Sequence, residues 1–499
     1  MSPPFDTEVP VLLLRLDRNP FHHGTLGAIR SLGRAGVEVH AVVESPHCPI
    51  GRSRYLRQGH QLPADGVRGA HRTGETVDAA GGASDGRLER MLRQISDRIG
   101  RPAVLIPMDD MGAIAAARLA GRLAGRFLLP EQPPELPQRV ADKARLAAMC
   151  AELDIPHPPT VSPRSAGEAA AAARELGLPL IAKWSRPWLL PQGGTLRSTT
   201  VVTTEEQARA LYRRSGEAGS RLLLQRLVPG GRDTDWFFHG CFTGGAVRLA
   251  GGAGRKERSW PLGAGLTAVG RWLPNPEVER AAGLLAEHLD YRGILDLDFR
   301  FDTATGTYRL LDFNPRPGAQ FRLFTDRSGL DVVRALHLDL TGRTAAPADP
   351  VPGRLFVAEN YALLSSLAAL PSEGVPLTSA RRGRSAAAGG TGGAGGAGGA
   401  GGGEDAGEGR SRPRETETAW FAADDPAPFL AMAASWLGQG GRKTAVRLAR
   451  RLLRPGRPAV RVPAPEGAGG SSGRAGAAAA PLGAPRTPAD LRTTEHPTA

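Results

Sequence analysis

The chain has 499 residues, 41% of them hydrophobic, and a formal net charge of +13. That is length for two or three domains with ordinary cores, and no apolar run approaches the ~18–20 residues that a bilayer span needs. The charge invites a nucleic-acid reading, but residues 381–499 alone hold 17 Lys+Arg against 10 Asp+Glu, so about half of the excess lies in a Gly-, Ala- and Pro-rich tail and the charge reads as solvation plus a basic tail rather than a nucleic-acid surface.

The opening MSPPFDTEVPVLLLRLD lacks a basic n-region, and its short apolar stretch ends at Arg15 and Asp17. It reads as a first β-strand rather than a signal peptide. Cys48, Cys150 and Cys241 are far apart, odd in number and not in metal-ligand spacing, which fits a reducing cytoplasm. GTLGAIRSLGRAG is helical in pattern and closed by Gly36, and VEVHAVV resumes a strand. PAVLIPMDD is a later strand with MGAIAAARLAGRLAG as its helix. Residues 1–135 therefore predict a βαβ, Rossmann-like N-terminal domain of an α/β protein. Residues 60–86 carry no period and read as a surface insertion.

From residue 136 the texture changes to α+β. RVADKARLAAMCAELDIP predicts one amphipathic helix, SAGEAAAAARELG a second with a glycine stop, and LPLIAKW a strand. PQGGTLRSTTVV is a glycine-containing loop returning to a strand, and LLLQRLVPGGRDTDWFFHGCF reads strand, turn, strand. After the helix PEVERAAGLLAEHL come GILDLDFRFD and YRLLDFNP, two strands joined by the turn TATG. This domain runs over 136–345 and is followed by a domain-closing segment at 346–385. Residues 386–410 are a Gly-rich linker, 411–460 a helical segment with a basic end, and 461–499 a disordered low-complexity tail.

Period 2 puts Asp296 and Asp298 on one face of their strand, and Asp312 and Asn314 on one face of the partner. Hard oxygen donors converging there suit Mg²⁺ shared with phosphate. The rigid turn Asn314-Pro315-Arg316-Pro317-Gly318 places an arginine just past the acids. Only four of the 63 basic residues are lysine (Lys143, Lys183, Lys256 and Lys443). In a chain that uses arginine almost everywhere, a retained lysine marks a position that needs a compact ammonium. No convincing nucleophile is present: GxSxG is absent, and His22 and His23 read as caps or lining of the first loop.

Taken in order, the motifs over residues 138–342 resemble the ATP-grasp family. The resemblance implies that ATP and Mg²⁺ (or Mn²⁺) are bound, with Asp298, Asp312 and Asn314 as metal ligands and Asp296 as the alternative to Asp298. It implies Lys143 and Lys183 as ATP-contacting lysines, and Gln192, Gly193, Gly194 and Thr195 as the loop that closes over the phosphates. Gln225, Leu227 and Val228 would meet the adenine and Asp233 the ribose. Arg316 would contact phosphate or the acyl intermediate, and Lys256 phosphate or substrate carboxylate. The family usually has Glu where Gln225 and Asp312 stand. The implied activity is that of an ATP-dependent carboxylate–amine ligase. It would work through an acyl phosphate on small carboxylates and amines, amino acids among them. The alternatives are a carboxylase-like enzyme of the same fold, and an ATP-binding regulatory or scaffold protein without turnover.

Overall fold

Val11–Leu14 is buried at every position, as a strand covered on both faces must be. It lies at the centre of a five-stranded parallel sheet, in the order Gln58–Gln61, Val39–Val43, Val11–Leu14, Ala103–Pro107, Phe127–Leu128. Val11 and Leu13 pack with Leu26, Ile29 and Leu32 of the helix His23–Arg34. Leu12 and Leu14 point the other way, to Leu88, Leu92 and Ile95 of the helix Val77–Ile99 and to Ala115 and Leu119 of Asp110–Leu119. The computed structural model describes residues 5–45, 47–62, 77–191, 194–231, 233–261, 265–344, 348–368 and 415–438, with side chains at 77–84, 367 and 368 left aside. All of them fall within one unit, Met1–Gly441. The Gly-rich linker and the low-complexity tail lie outside the described residues.

Two sequence expectations give way to finer structure here. The helix Val77–Ile99 extends into the stretch read as aperiodic, because Leu88, Leu92 and Ile95 anchor it to the sheet and the turns before them continue the same backbone. The single helix expected from residue 139 is two, Leu136–Ala141 and Lys143–Glu152, broken at Asp142. Asp142 takes an extended ψ of 111°, and its carboxylate caps the second helix by accepting from the N–H groups of Ala144 and Arg145.

A four-stranded antiparallel sheet follows, in the order Thr160–Val161, Leu222–Arg226, Leu180–Trp184, Thr199–Val202. Alanines of the helix Ala166–Leu176 and Ala208 of Glu205–Arg213 pack on it. The strands Leu222–Arg226 and Asp235–Thr243 belong to different sheets, so the VPGG segment between them crosses from one to the other. Arg300 pins that crossing, with Nε 2.6 Å from Asp235 and Nη1 donating to Val228 O at 3.2 Å.

The largest sheet has seven strands, in the order Thr307–Asn314, Gly293–Asp302, Asp235–Thr243, Val247–Trp260, Leu266–Trp272, Leu355–Val357, Thr416–Thr418. Its last strand arrives from far along the chain and pairs in parallel with Leu355–Val357. Beyond it Trp420 is fully buried, and its N–H and that of Phe421 are held by the Glu359 carboxylate. Asp425, itself buried, then accepts from Arg30 Nε at 2.9 Å, Ser53 Oγ at 2.7 Å and the Arg54 N–H at 3.0 Å. The C-terminal segment thus clasps the first helix of the parallel sheet to the edge of the large one.

Candidate active site

The hairpin of Gly293–Asp302 and Thr307–Asn314 pairs Asp298 with Asp312 and Asp296 with Asn314. Alternation therefore brings the acids and the amide onto one face, as the period-2 pattern requires. The register slips just past Asp298, where Phe299 pairs with Leu310. Leu311 is the extra residue of this bulge, and a bulged residue is released from the ladder. Its carbonyl accepts a bond from Lys183 Nζ at 3.1 Å.

Three of the four lysines converge on the hairpin. Lys143 Nζ lies 2.8 Å and Lys183 Nζ 3.4 Å from Asp312 Oδ1, and Lys256 Nζ lies 2.6 Å from Asp298 Oδ1. They come from three places: the first turn of Lys143–Glu152, the middle of Leu180–Trp184, and the strand Val247–Trp260. Asp142 sets the first two relative to each other. Its carboxylate caps the helix of Lys143 and also accepts from Ser185 Oγ and from Arg186 Nε, both just past the strand of Lys183. The Lys143 N–H closes the link by donating to Ser185 O at 2.9 Å.

The electrostatics follow from burial and proximity. Burial disfavours each ammonium. For Lys143 the Asp312 and Asp110 carboxylates outweigh it, and for Lys256 the Asp298 carboxylate does, so both are held above the ordinary lysine value. Lys183 goes the other way, because burial and the neighbouring Lys143 outweigh Asp312. Burial also opposes the charge on Asp312, but the two lysines win and hold its carboxyl at about 2.

Asp296 is the more enclosed of the two candidates, 5% exposed. His239 Nε2 lies 3.0 Å from its Oδ1, and Arg316 Nη1 donates to its Oδ2 at 2.6 Å. Asn314 Nδ2 donates to the same carboxylate, which leaves its amide oxygen as the end available to a cation. The chain passes directly over the His239 ring at Gly318, where a Cβ would fall 2.1 Å from His239 Cε1, so only glycine fits. Arg316 also reaches Asp110, at the start of the helix Asp110–Leu119, with Nε 3.3 Å from Oδ1. Burial lowers His22 and His23 to about 3, and His22 caps its helix by accepting from the Thr25 N–H.

The hairpin presents two partly exposed carboxylates and an amide oxygen, all hard donors from adjacent strands. This set fits Mg²⁺ or Mn²⁺, which favour carboxylate and carbonyl oxygen. Beside the lysines a recess of about 330 Å³, counting space open to solvent, is lined by Leu146, Cys150, Leu223, Gln225 and Leu310 with Lys143 and Lys183 at its edge. Gln225 Nε2 donates to Thr160 Oγ1 at 3.0 Å.

Other residues expected at the site have local partners of their own. Thr195 Oγ1 accepts from Arg214 Nη2 at 2.5 Å, and Gly194 N–H bonds Pro191 O at 3.3 Å. Gln192 and Gly193 lie outside the described residues. Asp233, at φ +68°, lies 3.2 Å from Arg255. Leu227 is half-buried, and the carbonyl of the buried Val228 is engaged by Arg300. Asp110, Asp142 and His239 were not nominated from the sequence. Asp142 had a readable signal, an acid directly before a helix-starting lysine.

No known family profile matches the chain, and neither does any curated protein. Solved structures do. N5-carboxyaminoimidazole synthetase from Staphylococcus aureus superposes with a TM-score of 0.50 at 12% identity, over 71% of this chain and 82% of that one. The same synthetase complexed with ADP gives 0.50 at 11% identity over the same shares. L-amino acid ligase from Bacillus licheniformis gives 0.48 at 14%, over 70% of this chain and 78% of that one. At such identities the likeness is one of fold. The chain has the ATP-grasp fold.

Proposed function

We propose that the protein is an ATP-dependent carboxylate–amine ligase. The observation that carries this reading is the convergence of Lys143, Lys183 and Lys256 on the Asp298/Asp312 hairpin, in a chain that otherwise uses arginine. The ammonium groups and the carboxylates neutralise one another without ligand. A triphosphate with its divalent cation offers the same charges in exchange, the phosphates to the lysines and the cation to Asp298, Asp312 and Asn314. The complex of the S. aureus synthetase with ADP supports a nucleotide in the corresponding fold.

In this reading the adenine enters the recess between Leu146, Leu223 and Leu310, beside Gln225, with the crossing at Leu227 and Val228 along its edge and Asp233 toward the ribose. The loop of Gly193, Gly194 and Thr195 closes over the phosphates. Lys143 and Lys183 hold the α- and β-phosphates. A carboxylate oxygen of the substrate attacks the γ-phosphorus, the bond to the bridging oxygen breaks, and ADP leaves. An amine nitrogen then attacks the acyl carbon, phosphate departs, and the nitrogen loses a proton. Arg316 steadies the carboxylate and the acyl phosphate, and Lys256 the transferred phosphoryl oxygens. A bound Mg²⁺ supplies charge neutralisation on the phosphate oxygens. Residues 1–135, 136–345 and 346–385 act as the leading domain, the ATP domain and its closing segment.

Purified full-length protein with ATP and Mg²⁺ should release ADP when supplied with the right acid and amine. Lys183→Ala and Asp312→Ala should each abolish that release while the melting profile stays cooperative. Full ADP release by either variant would overturn the role given to that residue, and absence of nucleotide binding by the native protein would overturn the ligase reading.

A further inference from the structure

Arg316, which contacts Asp110, also lines a second recess, and the chemistry around it is lopsided. This space, about 540 Å³ counting what is open to solvent, lies where the parallel sheet meets the start of the strand Gly293–Asp302. Its walls are mostly apolar, including Ile106, Ala113, Ala117, Leu129, Ile294 and Leu336, with Arg316 and Arg292 also lining it, the latter paired with Asp290. Arg316 Nη1 is occupied by Asp296 Oδ2 and Pro317 O. Nε faces Asp110 Oδ1 at 3.3 Å. Asp110 Oδ1 is itself buried and makes no hydrogen bond among the described residues, and the same holds for Oε1 of Gln132, which lines the recess. Buried polar atoms are nearly always satisfied. Both are acceptors, and Asp110 Oδ1, though beside the Arg316 guanidinium, still lacks a hydrogen-bond donor.

We propose that this recess, with Arg316 and its partner Asp110, binds an α-amino acid with an apolar side chain as the carboxylate substrate. Its carboxylate displaces Asp110 from the free edge of Arg316, its ammonium takes the Asp110 carboxylate and the Gln132 amide oxygen, and its side chain fills the recess. A contact pair of one guanidinium and one carboxylate is the complement of a zwitterion, whose ammonium and carboxylate groups sit on the same carbon. A simple carboxylic acid would break the Arg316–Asp110 contact and return nothing to Asp110. This assignment rests on the ligase reading, which brings Arg316 to the reacting carboxylate, and it adds Asp110 and the apolar recess as the groups that select the acid.

The test uses the full-length protein with ATP, Mg²⁺ and hydroxylamine, which attacks an acyl phosphate to give a hydroxamate and free phosphate. Leucine, isoleucine, methionine and phenylalanine should each yield hydroxamate, and aspartate, lysine and 4-methylpentanoate should yield little. Asp110→Asn should raise the KM for leucine by about 10- to 100-fold, the loss of one charged hydrogen bond, and by much more than it changes the KM for ATP. Ala117→Leu, at a partly exposed position that projects bulk into the recess, should shift preference from leucine toward alanine. A preference for charged amino acids, equal use of leucine and 4-methylpentanoate, or an unchanged leucine KM in both folded variants would overturn the proposal. If the native protein binds ATP and forms a hydroxamate from another class of acid, only this site assignment falls. If it neither binds ATP nor forms any hydroxamate, the ligase reading falls with it.

Discussion

Two clusters of ion pairs tie distant parts of this chain together, and they are built from different cations. At the hairpin, Lys143, Lys183 and Lys256 meet Asp312 and Asp298, with side chains 11–15% exposed on the lysines and 27–29% on the acids. At the C-terminal clasp, Arg30 meets Asp425 with 0% and 1% exposed, and Arg34 meets Asp424 nearer the surface. The arginine fork takes several bonds at once: Arg30 holds both the carboxylate and the main-chain carbonyl of Asp425. Such a pair, held by several bonds and sealed from solvent, stays put. The lysines are point charges on flexible stems, each on one or two acceptors, and Lys143 and Lys183 line a recess. Geometry of that kind can be exchanged for a ligand at little cost. The difference separates a contact that holds the fold from one that waits for a substrate.

The largest effect expected of breaking this contrast is at the hairpin. Asp312→Ala should lower ADP formation roughly a thousandfold and, because it also strips Lys143 and Lys183 of their carboxylate, lower the urea midpoint as well; ADP formation near native in the folded variant would place Asp312 with the clasp instead. Asp425→Ala should act on stability alone. It leaves the Arg30 charge buried and should cost about 3–5 kcal/mol in urea unfolding, with turnover at low temperature retained.

Acid sharpens the same comparison. The carboxyl of Asp312 is held at about 2, below its ordinary 3.8. Its ion pairs therefore stabilise fully above 3.8, and that contribution is lost as pH falls toward 2. Unfolding free energy measured against pH should fall through this window more steeply in native protein than in Asp312→Asn; identical slopes would contradict the pairing. Lys183→Arg keeps the charge but changes its shape, and should leave more ADP formation than Lys183→Ala yet less than native. Smallest of all, Arg34→Ala at the exposed end of the clasp should cost only about 0.2–1 kcal/mol, readable as a small shift in urea midpoint.

Much of the hairpin was legible in the sequence. Alternation across a short turn implies that Asp296 and Asp298 share a face with Asp312 and Asn314, and the observed register agrees. The scarcity of lysine singled out the three residues that meet there. The bulge at Leu311 was not legible, because nothing in YRLLDFNP marks which residue leaves the ladder. Nor was the clasp. Arg30 and Asp425 are 395 residues apart, and TETAWFAADD carries no local signal that it will add a strand and bury a tryptophan.

The choice between Asp296 and Asp298 shows where the boundary lies. Both occupy the same face at the same period, so no local pattern separates them. Chain-local physics (apolar alternation, helix stops and a turn) was enough to mark the hairpin strands, several other strands and helices and the identity of the charged groups, but not the strands Val247–Trp260 and Leu266–Trp272. Only the packed molecule decided their partners: Lys256, on the strand Val247–Trp260, meets Asp298, while His239, on the strand beside it, and Arg316, beyond the hairpin, enclose Asp296. Partner choice depends on what crosses over a face in space. That is set by contacts between elements tens of residues apart, which a period along one strand does not contain.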